Sequence, residues 1–231
     1  MKTLTEHFLE KSRRGTYKDN KENRRKHRVG MPYGKWKEST EAYIGKVVSN
    51  YDSFGMSITA VCTASACISS PINLKSRESI QRKMTKDGCT VHEIKDIMRN
   101  TFVAIDGGLD RVISAVKSEF KVLRHKVQKP EDFDGYSGNI LNIQFPNGAI
   151  GEVQVNTPEM IYAKEEAKIA KTILGQELYD RIDEVARKVG FEGGRGHALY
   201  EAIRTTEPSE ELIRLRKESV EYYAKVKEIL L

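Results

Sequence analysis

The chain has 231 residues and a formal net charge of +6, with 39% hydrophobic and 31% charged residues. That length suits one large domain, or one domain carrying extensions. No apolar run approaches the length that spans a membrane, and the opening "MKTLTEHFLEKSRRG" is too polar and acid-containing for a secretory signal.

The three cysteines, Cys62, Cys67 and Cys89, make neither an even framework nor a CxxC pair, so a reduced, cytoplasmic setting is expected. Taken in chain order, "LTEHFLEKSRR" reads as a short helix opened by a Thr cap. From Lys11 to Lys37 eleven Lys or Arg stand against two acids, Asp19 and Glu22. Such an arm is either a solvated tail or a phosphate-binding segment, since cations that displace counterions drive nucleic-acid binding.

"WKESTEAYIGKVVSNY", from Trp36, has helical apolar spacing. "SITAVCTASACISS" is rich in β-branched and small residues, which predicts a buried strand and a loop closed by Pro71. "SRESIQRKMTKDG" predicts a helix capped by Ser76 and stopped at Gly88. A strand is expected around Asn100 to Ile105, then a turn and helix in "DGGLDRVISAVKSEF", then a strand in "KVLRHKVQK". "NILNIQFPNGAIGEVQVNT" predicts a β-hairpin, with Pro-Asn-Gly between two alternating runs. Beyond Pro158 the chain reads as helical almost to its end, broken at Gly190 and in "EGGRG". Mixed strands and helices followed by a helical third indicate an α/β (α+β) fold with a mixed β-sheet, nucleotidyltransferase-like core flanked by helices. Three regions are expected: a basic, mainly helical extension over 1–55, a core over 56–165, and a helical C-terminal extension over 166–231 packed on that core.

Several segments carry residue types with chemistry. In "NLKSRESIQRKM", Lys75 and Arg77 precede the helix, Ser79 and Lys83 lie one turn apart on it, and Arg82 adds a cation. Such a set at a helix N-terminus suits a polyphosphate, although a basic amphipathic helix is also an ordinary surface element. Asp96 stands just ahead of an apolar strand, where it either caps or presents a carboxylate near a sheet edge. "Glu152-Val-Gln154" puts a second acid on one strand face. Mg²⁺ on a nucleotide uses one or two carboxylates besides phosphate oxygens and waters, and a carboxylate there can also accept the proton of an attacking hydroxyl. Arg124, Lys126 and Lys129 add positive charge before the loop bearing Tyr136, a ring that either stacks on a base or pins its loop. His197, Tyr200, Glu201 and Arg204 share helical spacing after "EGGRG" and either line the site or pack on the sheet.

Read together, these segments resemble the RelA/SpoT synthetases, alarmone enzymes that transfer pyrophosphate from ATP to the 3′-hydroxyl of a guanine nucleotide. "LKSRESIQRKM" is similar to the family's "VKSxxSIxxKM", "GYSG" to "GYxS/G", and "EVQVNT" to "EIQIRT", with Asp96 at the family's spacing. The similarity runs from about Ile72 to Lys164. It implies ATP-phosphate roles for Lys75, Ser79 and Lys83, with Arg82 beside them. It further implies Mg²⁺ at Asp96 and Glu152, with Glu152 assisting deprotonation of the hydroxyl. Lys126 and Lys129 would meet acceptor phosphates, Tyr136 would stack on the acceptor base, and Gln154 would support Glu152.

The chain departs from the pattern in places. Asn73 stands where long synthetases carry an ATP-contacting Arg. Arg99 and Thr101 replace the "DIAGIRI" register, "VNT" replaces "IRT", and the His of "GYxSxH" has no counterpart. These changes resemble a phage- or toxin-associated branch with "DxxRxT", "EVQ-x-x-TP-E-x-x-x-AK-E" and "H-x-L-Y-E-x-x-R", the last present as "HALYEAIR". The resemblance therefore implies ATP as donor and a purine nucleotide (GDP or GTP type) or a tRNA 3′ end as acceptor, with no membrane partner. The alternative is a degenerate nucleotide- or RNA-binding module of a mobile element. The two acids favour the enzyme, because a binding module has less need of two metal-positioning carboxylates.

Overall fold

The structure, a computed structural model, describes residues 38–132 and 134–229. The expected Thr-capped helix in "LTEHFLEKSRR" and most of the basic arm lie outside the described residues. Within them, two helices come first, α1 (Thr40–Val48) and α2 (Tyr51–Ser65), followed by the short strands β1 (Ile68–Ser69) and β2 (Asn73–Leu74). Helix α3 (Arg77–Asp87) and a 3-10 turn (Val91–Glu93) lead into β3 (Met98–Val103), α4 (Leu109–Glu119) and β4 (Lys121–Gln128). The hairpin β5 (Gly138–Gln144) and β6 (Ile150–Asn156) completes the strands. Five helices close the chain: α5 (Pro158–Lys164), α6 (Ala167–Leu174), α7 (Gln176–Lys188), α8 (Gly196–Thr205) and α9 (Glu210–Ala224), with a final 3-10 turn (Lys225–Ile229).

The expected strand in "SITAVCTASACISS" is instead the C-terminal part of α2, up to Ser65, and only Ile68–Ser69 after it is extended. The reason is the spacing of the buried positions. Phe54, Ile58, Val61 and Ser65 repeat at four, three and four residues, which makes one helical stripe that outweighs β-branched propensity. The 55/56 boundary drawn from sequence falls inside this helix. Ala66, in the left-handed region at φ 51, ends it.

The strand order is β1-β3-β6-β5-β4, with β2 also pairing β3. Only β3 and β6 run parallel; the other pairs are antiparallel, so the sheet is mixed as expected. Because side chains alternate faces along a strand, Phe102, Val153, Val155, Leu141 and Ile143 fall on one side. There they pack with α1, α2 and α4 around Val47, Phe54 and Val112. Val103, on the other face, joins a second core built by α5 to α9 around Tyr162, Ile182, Phe191 and Tyr222. This second layer stacks on the end of the sheet that holds Val103 and leaves the start of β3 and the start of β6 half-open.

Candidate active site

Local pairing sets the first half of the site. β2 lies beside the start of β3, with Asn73 opposite Arg99 and Leu74 opposite Met98, and the Lys75 N–H extends the ladder by donating to the Ile97 carbonyl at 2.8 Å. That fixes Lys75 next to Asp96, two residues ahead of β3. Ser76 then caps α3 by accepting from the Ser79 N–H at 3.2 Å, which satisfies one donor of the helix start. Buried Ile80 anchors α3 to the core and Lys83, one turn on, reaches the same acid.

Lys75 Nζ lies 2.9 Å from Asp96 Oδ2 and Lys83 Nζ 2.9 Å from Oδ1. The side chains of Asp96, Lys75 and Lys83 are 15%, 20% and 38% exposed. Burial alone pushes the Asp96 carboxyl up, but Lys83 and Lys75 outweigh it and hold the group down at about 2. Asp96 is therefore ionised at any physiological pH, with two ammonium groups gathered at the start of α3.

The strand register sets the second half. Asn73, Arg99, Glu152, Asn142 and Arg124 are successive cross-strand partners through β2, β3, β6, β5 and β4, so they form one row on one face. Thr101, Gln154, Ile140 and Lys126 form the next row. Asp96 thus stands three residues ahead of Arg99, the cross-strand partner of Glu152 on the parallel strand β6.

The Gln154 amide donates from Nε2 to Glu152 Oε1 at 2.9 Å. Lys164, returned to the sheet by α5, points Nζ at Gln154 Oε1 (3.5 Å) and pairs with Glu165 at 2.9 Å. Burial works to discharge Lys164, but the Tyr136 oxygen and Glu165 outweigh it and its pKa is raised, against the opposing charge of Arg99. Gln154 therefore meets a permanent cation with its oxygen and Glu152 with its N–H groups.

The other expected residues are less concentrated. Ser79 sits at the start of α3, its hydroxyl accepting from Ser76 Oγ at 3.1 Å. Arg82 is exposed and lines the groove between α1 and α3 with Glu41, Ile44 and Arg77, away from Asp96. Lys126 is exposed on β4, the sheet's edge, and Lys129 lies beyond it in the loop, its N–H donating to Asp132. Tyr136 is only 9% exposed. Its hydroxyl donates to Asn156 Oδ1, its ring meets Tyr223 edge-on at 5.5 Å, and Lys164 Nζ stands 5.6 Å from the ring centre. In this arrangement the ring offers no open face to a base.

His197, Tyr200 and Arg204 lie exposed on α8 and Glu201 half-buried, with Arg204 bonded to Glu201 at 2.6 Å. Sequence reasoning missed three residues. Arg99 looked displaced from the family pattern, yet register puts it beside Glu152. Asn142 and Lys164 also belong to this face, Lys164 being visible in sequence only as one letter of the "AK-E" pattern.

The residues fit a nucleotide-bound Mg²⁺: an acid kept ionised, a second acid with one oxygen fixed, and cations for phosphate. Among the described residues no cluster of three or more His, Cys, Asp or Glu could hold a metal without such a ligand. No described helix is long and apolar enough to cross a membrane.

No protein-family model matches the chain. It is 36% identical over 156 residues to the (p)ppApp synthetase toxin Tas1 of Pseudomonas aeruginosa (strain UCBPP-PA14), a match covering 67% of this chain and 35% of Tas1. The chain thus spans about a third of the length of that curated relative. It superposes with a TM-score of 0.72 and 31% identity on a chain from the crystal structure of the complex between the Type VI effector Tas1 and its immunity protein, covering 82% of this chain and 96% of that one. Small alarmone synthetase 1 from Bacillus subtilis is more distant, at 15% identity and a TM-score of 0.46 over 80% of this chain and 88% of that one. With an extensive match at this identity in both sequence and structure, the chain belongs to the RelA/SpoT-like alarmone synthetase family, alongside Tas1.

Proposed function

We propose that the chain transfers the pyrophosphoryl group of ATP to the 3′-hydroxyl of an adenine nucleotide, in the cytoplasm, where ATP is at hand. The observation that carries this reading is Asp96, held ionised between Lys75 and Lys83 just ahead of the strand on which Arg99 stands opposite Glu152. The adenine acceptor is supported by the activity for which Tas1 is named, (p)ppApp synthesis.

Lys75, Lys83 and Ser79 receive the donor's β- and γ-phosphates at the start of α3, where the ammonium groups exchange part of their contact with Asp96 for phosphate oxygens. Asp96 and Glu152 would hold Mg²⁺, which when bound would neutralise charge on the polyphosphate. Gln154 fixes one oxygen of Glu152, and the carboxylate accepts the proton of the 3′-hydroxyl as that oxygen bonds to the β-phosphorus. The bond between the α,β-bridging oxygen and the β-phosphorus breaks, and AMP leaves. Arg99 flanks Glu152 and stabilises charge on the transferring phosphates, a positioned cation in a partly enclosed site. Arg124, Lys126 and Lys129 line the β4 side for the acceptor's 5′-phosphates. For Tyr136 to stack on the acceptor base, Tyr223 must swing off its edge.

The test uses ATP labelled at the β- or γ-phosphate, Mg²⁺, and separate pools of AMP, ADP, ATP, GDP, GTP and bulk tRNA. Labelled product from the adenine pools is expected. Product from the guanine pools or from tRNA instead would overturn the acceptor assignment. ATP binding with no transfer to any pool would leave a binding module.

A further inference from the structure

Gln154 stands between two opposite charges, and its amide must face them the right way round. It follows Glu152 by two residues on β6, so both side chains leave the same face of the sheet. Its Nε2 donates to Glu152 Oε1 at 2.9 Å, and its own Oε1 lies 3.5 Å from the Lys164 ammonium. Turned over about its last bond, the amide would set N–H groups against the ammonium and an oxygen against the carboxylate. Both contacts would then be repulsive.

The fold holds Lys164 in this place from several sides. Thr157 caps α5 by accepting from the Met160 N–H, Pro158 opens the helix, and Pro158 to Ala163 are all buried. The Tyr222 hydroxyl donates to the Ala163 carbonyl at 2.7 Å. Gly196, at the start of α8, comes so close that a Cβ there would lie 2.9 Å from Lys164 Cα. The ammonium itself pairs with Glu165 at 2.9 Å and stands 5.6 Å from the centre of the Tyr136 ring.

The two ends of the Gln154 amide are not equivalent during a proton transfer. Glu152 orients the amide only while it is ionised. A carboxyl protonated at Oε1 donates instead of accepting, and an unrestrained amide would turn over to meet it. Lys164 keeps its charge throughout, so it holds the amide oxygen and leaves the N–H on Glu152 Oε1.

We propose that Lys164 is a positioning residue that locks the Gln154 amide and so reserves Glu152 Oε2 for the incoming proton. The proton leaves the 3′-hydroxyl and lands on Oε2, while Oε1 stays an acceptor from Gln154. This assignment rests on Glu152 being the group that takes that proton.

The experiment measures AMP release with ATP and ADP varied in turn. Lys164→Met leaves Glu165 without its counter-charge, so the comparisons are made in a Glu165→Gln background, itself expected to stay within about twofold of the wild-type kcat. There Lys164→Met is expected to lower kcat about tenfold, as loss of a group that orients a site carboxylate does, with both KM values within about twofold. With Gln154→Leu also present, the same replacement is expected to change kcat by less than about twofold, because the lysine acts only through the amide. Equal losses with and without Gln154, a loss confined to KM, or a tenfold loss from Glu165→Gln alone would overturn the lock. A second readout needs no turnover. The Gln154 side-chain amide resonances of an isotope-labelled chain, identified by their loss in Gln154→Leu, are expected to move and exchange faster with water in Lys164→Met. Unmoved resonances would overturn the lock. Failure of the transfer reading would show differently, as a wild-type chain that forms no product from ATP although these resonances respond to Lys164.

Discussion

Replacing Asp96 with Asn keeps the shape of the side chain and removes the charge that holds two lysines together. A carboxyl held at about 2, against an ordinary 3.8, reports how much more strongly the folded chain favours the ionised form. At 1.36 kcal/mol per tenfold change in proton affinity, that preference is worth about 2 kcal/mol near neutral pH. Burial opposes it and the lysines more than offset the burial, so an uncharged amide leaves Lys75 and Lys83 facing each other without a counter-charge. Because the folded value lies below the unfolded one, the contribution is fully present above about pH 4 and fades as the pH falls through about 2. Urea unfolding of the wild-type chain and Asp96→Asn is expected to show a gap of about 2 kcal/mol at pH 7 that closes progressively below pH 4. Equal stability at pH 7, or a gap that does not narrow in acid, would refute the reasoning. The folded variant is also expected to lose transfer.

Glu152→Gln is expected to keep the fold and ATP binding but lose transfer by at least about a hundredfold, as removal of a positioned general base does; steady-state AMP release measures it, and full activity would remove Glu152 from the mechanism. Tyr136→Phe leaves buried Asn156, whose Nδ2 has no hydrogen-bond partner among the described residues, without its hydroxyl donor too, at a cost of about 1–3 kcal/mol read by thermal unfolding. Ser76→Ala removes the α3 cap, with about 1 kcal/mol of stability lost and weaker ATP binding by titration calorimetry; unchanged values for both would separate the helix start from the phosphate site.

Local signals in the sequence were sufficient wherever the chain's neighbours in space are also neighbours in sequence. Ser76 and Gly88 bound α3, and the Pro-Asn-Gly turn joins β5 to β6, because caps and turns are short-range devices. The ordered motifs point to Asp96 and Glu152, which stand just ahead of β3 and on its parallel neighbour β6. What the letters hide is register. Arg99 reads as a misplaced cation until the β3–β6 pairing sets it beside Glu152, and Lys164 reads as one more helix lysine until α5 folds it back onto Gln154. Tyr136 shows the converse. Its place after a loop glycine leaves open whether the ring stacks on a base or pins its loop, and α9, more than eighty residues downstream, lays Tyr223 against it. The α2 segment misled for a different reason: β-branched letters were weighed ahead of the helical spacing of Phe54, Ile58 and Val61.

The most direct test of the account is the fate of ATP labelled at its γ-phosphate, incubated with the chain, Mg²⁺ and unlabelled ADP. Transfer of an intact pyrophosphoryl group predicts one AMP for each product molecule, with the label kept in a product that carries two adjoining phosphates at the 3′-oxygen. Label appearing as inorganic phosphate or free pyrophosphate, with no labelled nucleotide formed, would contradict it.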